Sequence, residues 1–325
     1  MRNREHTADL IRMRFFRMGA DVSLVAAEVL TLFCMMLVGI AARLFQVFTK
    51  DSTKLLSSLL VNVTQPLLIL TSLQITYTEE RLRTGLHIAL VSAVFHVALS
   101  LLARLIYGRV KNARVLEFGT VFANCAYLGY PVLLVVFGEE GLFYGAFFTL
   151  FYNIYIRIYG IHLLTRGGKS SLFKAFVNPG TVASVIGILL FVFSIRLPAP
   201  LYNAFSAMGD VTFPLSMLVV GNLVCNQSIA GMLRVRSFVF SAVKLLAIPL
   251  LTLGICLLLP LDRTIVCICV TMAAMPAGAN TAMFAELYTS DASPAASVIS
   301  ISTLLSIGTI PLMLWVTDQA FRLLG

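Results

Sequence analysis

The most constraining feature of this sequence is a succession of apolar runs, each long enough to cross a bilayer. A helix of about 20 mostly apolar residues spans the hydrocarbon core. Ten such runs can be counted, at 22–48, 56–76, 86–107, 116–137, 142–164, 179–197, 201–225, 238–259, 264–287 and 294–317. They take up most of the 325 residues and leave only short loops. The sequence therefore predicts an all-α polytopic membrane protein with ten transmembrane helices.

Composition and charge exclude other classes of protein. Hydrophobic residues make up 59% of the chain and charged residues 12%, outside the range of soluble domains. The net charge of +9 is spread over loops and forms no basic face interleaved with aromatic side chains, so no nucleic-acid partner is expected. Cys267 and Cys269 are two residues apart and point in different directions on a helix, which argues against a shared metal. We find no catalytic set and no cofactor motif, and expect no enzyme.

The distribution of Lys and Arg predicts the orientation, because cytoplasmic loops collect these residues. The larger set follows the odd-numbered spans: Arg43, Lys50, Lys54, Arg104, Arg109, Lys111, Arg114, Arg157, Arg166, Lys169, Lys174, Arg234, Arg236 and Lys244. The opposite side carries Arg81, Arg83, Arg196, Arg263 and Arg322. Both termini are therefore predicted outside the cytoplasm, in a cytoplasmic-membrane protein. The basic segment 1–20 disagrees, because its five arginines favour an inside amino terminus.

An internal repeat divides the spans into two halves of five. "NVTQPLLIL" in the second span recurs as "DVTFPLSML" in the seventh, so that Thr64 and Pro66 correspond to Thr212 and Pro214, 148 residues later. Gly39 and Gly187 are related by the same offset. An odd number of spans per half makes the second half enter the membrane from the other side. The sequence thus predicts two inverted repeats, 21–165 and 179–325, joined by a cytoplasmic loop at 166–178.

The fourth and ninth spans occupy equivalent positions in these halves, and both contain helix-breaking residues. The fourth has Asn124, Gly129 and Pro131; the ninth has Pro276 and Gly278, followed by Asn280 and Thr281. Paired interrupted spans mark the substrate site of transporters with inverted repeats. Each break would create a helix start inside the membrane, with unpaired N–H groups that attract an anion. The predicted substrate-binding residues are Asn124, Gly129, Tyr130, Pro131, Pro276, Gly278, Asn280, Thr281, Thr64 and Pro66.

Ionisable residues inside spans are candidates for ion coupling. Those found are Glu28, Glu117, Arg157, Asp210, Lys244 and Glu286, all within about two turns of a predicted span end, where interfacial placement is the simpler explanation. Asp210 immediately precedes the repeated "VTFPL" element and is the candidate for proton or cation coupling. No carboxylate lies at the centre of the fourth or ninth span, which favours an anion uniporter driven by the membrane potential.

Four motifs resemble the auxin efflux carrier family, the bacterial relatives of the plant PIN-FORMED carriers: "FANCAYLGYPVLLVVFGEEG", "FPLSMLVVGNLV", "MPAGANTAMFAELY" and "SVISISTLLSIGTIPLMLWV". The resemblance covers the chain from about residue 20 to its end. It implies a scaffold domain that forms a homodimer, a transport domain in which the fourth and ninth helices cross, an elevator movement, and export of small organic anions.

Asn124, Pro131, Pro276 and Gly278 match the family's pattern at the two interrupted helices. Plant members have a second proline where this chain has Thr281, and Asn280 follows the bacterial pattern, so auxin specificity is not expected. The long cytoplasmic loop of many plant members is also missing. A sodium- or proton-coupled carrier of the same crossed-helix plan remains open, as do an intramembrane enzyme, a receptor and a channel.

Overall fold

The computed structural model of the chain describes residues 22–110, 112–165, 176–225, 234–288 and 293–324. The predicted basic segment 1–20 and most of the predicted loop 166–178 lie outside these ranges, as do the cations Lys111, Arg166, Lys169 and Lys174 and the side chains of Glu28 and Glu286. Every regular element of the described residues is a helix.

We number these helices α1 to α13 along the chain. They are α1 (Val22–Leu44), α2 (50–72), α3 (Glu79–Tyr107), α4 (Ala113–Val121), α5 (Cys125–Phe137), α6 (Glu139–Leu164), α7 (Pro179–Val192), α8 (Ala199–Asp210), α9 (Thr212–Cys225), α10 (Val235–Leu258), α11 (Arg263–Ala273), α12 (Asn280–Tyr288) and α13 (Ser293–Leu323).

The helices have the lengths and the apolar character that a bilayer requires. Among the described residues, six stretches are long and apolar enough to cross a membrane, and four shorter apolar helices accompany them. The six are Ser52–Ser72, Glu79–Tyr107, Glu139–Leu164, Ala199–Cys225, Val235–Leu258 and Ala295–Leu323. The chain is thus a multi-pass membrane protein, whereas the count of ten crossings stays a prediction.

Helix α3 illustrates how the helix faces divide between the lipid and the protein interior. Its outward face is apolar and exposed, with Leu86, Leu90 and Leu101 each more than half exposed. Its inward face buries the polar side chains of Ser92 and His96. A soluble protein would place these faces the other way round, because a continuous apolar stripe in water is unfavourable. The pattern therefore supports a hydrocarbon environment around α3.

Glycines allow two pairs of helices to approach closely, as is typical of membrane proteins. A Cβ atom on Gly39 of α1 would lie 2.4 Å from the Leu218 carbonyl oxygen of α9, and one on Gly221 of α9 would lie 2.1 Å from the Met36 oxygen of α1. A Cβ atom on Gly187 of α7 would lie 2.4 Å from the Leu73 side chain at the end of α2. Both glycines that the repeat offset relates, Gly39 and Gly187, therefore lie at close helix contacts.

Short π-helical turns precede the prolines of three helices. These turns are Leu60–Thr64 in α2, Cys125–Gly129 in α5 and Val243–Ala247 in α10, and Pro66, Pro131 and Pro249 follow them at the second residue. Proline lacks an N–H and clashes with the carbonyl four residues earlier, and a wider turn relieves both problems without ending the helix. The sequence predicts that the fourth span opens near its centre, where Asn124, Gly129 and Pro131 lie; the chain leaves the helix at residues 122–124, whereas Gly129 and Pro131 lie inside the continuous helix α5.

Candidate functional site

The fourth and ninth predicted spans are both interrupted, and the two interruptions cross each other. Between α4 and α5 the chain leaves the helix at Phe122–Asn124, and between α11 and α12 at residues 274–279. Ala123 and Ala277 form an antiparallel bridge at the crossing. The Asn124 N–H donates to the Pro276 carbonyl at 2.8 Å, and the Gly278 N–H donates to the Phe122 carbonyl at 3.1 Å. Each broken helix thus pairs backbone groups that the other has freed.

Side chains from two further helices pair with two more backbone groups of the crossing. The Tyr152 hydroxyl of α6 donates to the Ala123 carbonyl at 3.1 Å. The Ala277 N–H donates to the Ser302 hydroxyl of α13 at 3.2 Å. Non-helical backbone at membrane depth needs such partners, because an unpaired N–H or carbonyl in hydrocarbon costs several kcal/mol. Tyr152 and Ser302 are therefore part of what makes the crossing possible.

Gly278 is required at the crossing because there is no room for a side chain at this position. A Cβ atom at this position would lie 2.9 Å from the Phe122 oxygen and 3.1 Å from the Ala123 oxygen. Both atoms are backbone and are held by hydrogen bonds, so they cannot turn away as a flexible side chain could. The close approach of the two breaks thus depends on the absence of a side chain here.

Two buried polar atoms near the crossing have no hydrogen-bond partner among the described residues: Nδ2 of Asn124 and the hydroxyl of Thr281. Asn124 caps the start of α5, where its Oδ1 accepts from the Tyr127 N–H at 3.3 Å, and its amide nitrogen is left over. Thr281 lies in the first turn of α12 and is 1% exposed. Buried polar groups are nearly always paired, so two orphans beside two helix starts indicate a site for a ligand that accepts hydrogen bonds.

Asn280 and Tyr152 connect the two breaks. Asn280 is the first residue of α12 and is partly exposed, and its Nδ2 lies 3.5 Å from the Tyr152 hydroxyl, which in turn donates to Ala123. The sequence does not predict Tyr152, because it lies in an unbroken helix among several other tyrosines. Ser302 lies inside a motif that carries the family resemblance, yet its residue type alone gives no indication of its role.

Three further predicted site residues, Gly129, Tyr130 and Pro131, are buried in α5. The Tyr130 hydroxyl lies 2.6 Å from the Thr149 hydroxyl of α6, so it already has a partner. A Cβ atom on Gly129 would lie 2.9 Å from the sulfur of Met272 in α11. These contacts explain Gly129 and Tyr130 by helix packing, and their contact with a substrate stays a prediction.

Thr64, Pro66 and Asp210 lie on α2 and α8, two helices that pack against each other. Thr64 is fully buried and its hydroxyl has no partner within the described residues; the same holds for its repeat counterpart Thr212. Asp210 is exposed at the end of α8. None of the hydrogen bonds described above for the crossing comes from α2 or α8. The roles predicted for these three residues remain predictions.

Lys244 is the residue that sequence reasoning misplaced. The sequence assigns it to the cations near a span end, but the structure buries its side chain completely within α10, which corrects that assignment. Its ammonium donates to the carbonyl oxygen of Ala273, the last residue of α11, at 3.2 Å. Lys244 therefore lies at one helix end of the crossing. Glu117 of α4 is also buried, and it accepts a hydrogen bond from the Tyr159 hydroxyl.

Comparison with known proteins identifies the family. A family model described as "Membrane transport protein" matches twice, over residues 24–172 and 165–314. An uncharacterized transporter of Methanocaldococcus jannaschii is 22% identical over 305 residues, which cover 89% of this chain and 97% of that protein. An uncharacterized transporter of Methanothermobacter thermautotrophicus is 25% identical over 296 residues, covering 87% and 95%. The chain therefore belongs to the membrane transport protein family, the auxin efflux carrier-like group that its motifs resemble.

Proposed function

We propose that this protein is a secondary transporter that exports a small organic anion, a carboxylate, across the cytoplasmic membrane. The observation that carries the proposal is the pair of unpartnered buried donors, Asn124 Nδ2 and the Thr281 hydroxyl, at the starts of two half-helices that cross. A carboxylate is acceptor-only and can take hydrogen bonds from both. Asn280 would be a third contact with the bound anion.

The proposed mechanism is alternating access of the elevator type, in a homodimer with both termini outside the cytoplasm. The two successive matches of the family model support two five-helix repeats, at 21–165 and 179–325, with ten crossings in total. The paired breaks support the inverted arrangement, in which a substrate site lies at the meeting point of the two repeats. The two hydrogen bonds of an antiparallel β-bridge join the breaks, so the crossing would move as one unit with the anion.

A second candidate is a sodium- or proton-coupled carrier of the same crossed-helix plan. Asp210 is the residue proposed for coupling in that case. Asp210 is exposed on α8. An ion-coupling carboxylate needs to be close to the substrate to affect its binding. Asp210 therefore supports this candidate less strongly than the geometry of the crossing supports the anion carrier. Sodium dependence of the flux distinguishes the two candidates.

The decisive variant is Thr281→Val, which keeps the shape of the side chain and removes only the unpartnered hydroxyl. No hydrogen bond within the described residues is lost, so the protein is expected to be as stable as the wild type or more stable. If the hydroxyl donates to the carboxylate, binding weakens by about 1.5–3 kcal/mol, which is about 10- to 100-fold. A gain in stability combined with a loss of transport is typical of a binding residue.

The assay is flux of labelled monocarboxylates and dicarboxylates from proteoliposomes that contain the purified protein. Asn124→Ala and Asn280→Ala are expected to abolish the flux while the protein remains folded. Asn62→Ala is the matched control, because this exposed asparagine bonds, among the described residues, only to Ser58 of its own helix. Unchanged flux in Thr281→Val, Asn124→Ala and Asn280→Ala together would contradict the proposal.

A further inference from the structure

The ammonium of Lys244 is a buried positive charge that forms no salt bridge with the described part of the chain. The side chain is 0% exposed, and the one hydrogen bond of its ammonium within the described residues is to the Ala273 carbonyl. The salt bridges in that part of the chain join Arg81 to Glu140, and Arg263 and Arg322 to Asp318. A charge buried in this way is costly unless something at the same place needs it.

The ammonium lies at a helix end that a cation would stabilise. Ala273 ends α11, and the carbonyl end of a helix carries roughly half a negative charge. When such an end lies inside a membrane, its carbonyls have no water to bond to, and in many secondary transporters these ends coordinate the coupling ion. Here an amino acid side chain binds the carbonyl.

The offset of the predicted repeat relates Lys244 to a second basic residue. His96 of α3 precedes Lys244 by 148 residues, the offset that relates the two halves, and it is also buried. Its ring lies 5.7 Å from the ring of Tyr152, so it too is next to the crossing. The His96 ring, however, bonds within its own helix, to the Ser92 carbonyl at 2.7 Å. Lys244 differs because its longer side chain reaches the end of a broken helix.

We propose that Lys244 is a built-in replacement for a coupling cation: its ammonium occupies the carbonyl end of α11 where a sodium-coupled carrier would hold an ion, so that transport needs no sodium. The inference concerns how the carrier is energised and goes beyond the proposed substrate. It also predicts that shortening this side chain opens a site that sodium can enter.

The test measures the melting temperature of the purified full chain in sodium chloride and in choline chloride. The wild type is expected to melt at the same temperature in both salts. Lys244→Ser is expected to melt lower in choline chloride and to recover by about 2–4 °C, saturably, as sodium is added. Lys244→Met fills the space with an uncharged chain and is expected not to respond to sodium. Lys54→Ser, at an exposed lysine, is the control and is also expected not to respond.

A saturable rise of the wild-type melting temperature with sodium would overturn the inference, as would a Lys244→Ser protein that melts like the wild type and ignores sodium. If Lys244→Ser does not fold in either salt, the wild-type flux decides: equal carboxylate flux in both salts supports the inference, and sodium-dependent flux refutes it. The melting experiment uses no substrate. A negative result in the melting experiment therefore does not contradict the proposed anion carrier. Absence of carboxylate flux from wild-type vesicles contradicts the proposed anion carrier and not the inference about Lys244.

Discussion

Replacing Gly278 by alanine is expected to force the two broken helices apart. The new methyl group would lie 2.9 Å from the Phe122 oxygen and 3.1 Å from the Ala123 oxygen, where ordinary contacts begin at 3.4 Å. Phe122 oxygen is also the acceptor for the Gly278 N–H, at 3.1 Å, so relief of the clash lengthens that hydrogen bond. Overpacking costs about 1–3 kcal/mol, and a buried hydrogen bond left unmade costs about 1–3 kcal/mol. We therefore expect Gly278→Ala to lower the free energy of unfolding by about 2–6 kcal/mol.

Thermal unfolding in detergent, followed with a thiol-reactive dye, measures this loss directly. Cys125, Cys256, Cys267 and Cys269 are buried and free, so they react only when the surrounding helices open. Gly254→Ala is the matched control. It makes the same substitution in α10, where a Cβ atom would meet nothing within 4 Å, and alanine's better helix propensity is expected to leave stability equal or raise it by up to about 1 kcal/mol. Equal melting temperatures for Gly278→Ala and Gly254→Ala would contradict the close backbone contact at Gly278.

Two other side chains of the crossing give separate predictions. Tyr152→Phe removes the hydroxyl that donates to Ala123 and is expected to destabilise the protein by about 1–3 kcal/mol and to slow carboxylate flux; a Tyr152→Phe protein with wild-type melting and flux would refute this role. Ser302→Ala removes the acceptor of the Ala277 N–H and is expected to lower the free energy of unfolding by about 1–3 kcal/mol, measured in the same melting assay. The Ser306→Ala control loses only a hydroxyl that bonds within α13, and should change the melting temperature less.

The interruption of the ninth span and its meeting with the fourth could be predicted from residue types. Pro276 and Gly278 lie within the break itself, and Asn124 lies at the edge of the other. The position of the break in the fourth span could not be predicted, because Phe122 and Ala123 are ordinary helix residues. The non-helical backbone of Phe122–Asn124 is stabilised by partners 150 or more residues away in the sequence, namely Pro276 and Gly278. Tertiary contacts here override local preference.

Proline was a misleading indicator in the fourth span for a physical reason. A proline in a membrane helix needs only one widened turn before it to avoid its clash, and α2, α5 and α10 all contain such a turn. The sequence of "LGYP" therefore does not distinguish a π-helical turn from a true break. What distinguishes the ninth span is that Gly278 meets another backbone, at the Phe122 oxygen, whereas Gly129 meets the side chain of Met272.

The depth of Lys244 was missed because the distance along the sequence to a predicted span end is a poor measure of depth in the membrane. In the structure α10 begins at Val235, nine residues before Lys244, so at 1.5 Å per residue the lysine lies about 14 Å along the helix. With Val235 at the edge of a hydrocarbon core about 30 Å thick, Lys244 would be close to its middle. A lysine this deep is beyond the reach of snorkelling, and it needs a partner inside the protein.

The position of Lys244 also changes the explanation for why the crossing would attract an anion. Two helices start there, α5 and α12, and two end there, α4 and α11. The partial charges of two starts and two ends, each about half a unit, cancel when all four meet at one point. Half-helix starts alone therefore do not make the crossing electropositive. The ammonium of Lys244 covers one of the two negative ends, at Ala273, and adds a full positive charge, which would give the crossing a net preference for an anion. We infer that the charge selectivity of the proposed carrier rests on this one side chain of α10, while Asn124 and Thr281 would supply the hydrogen bonds that hold the bound anion in place.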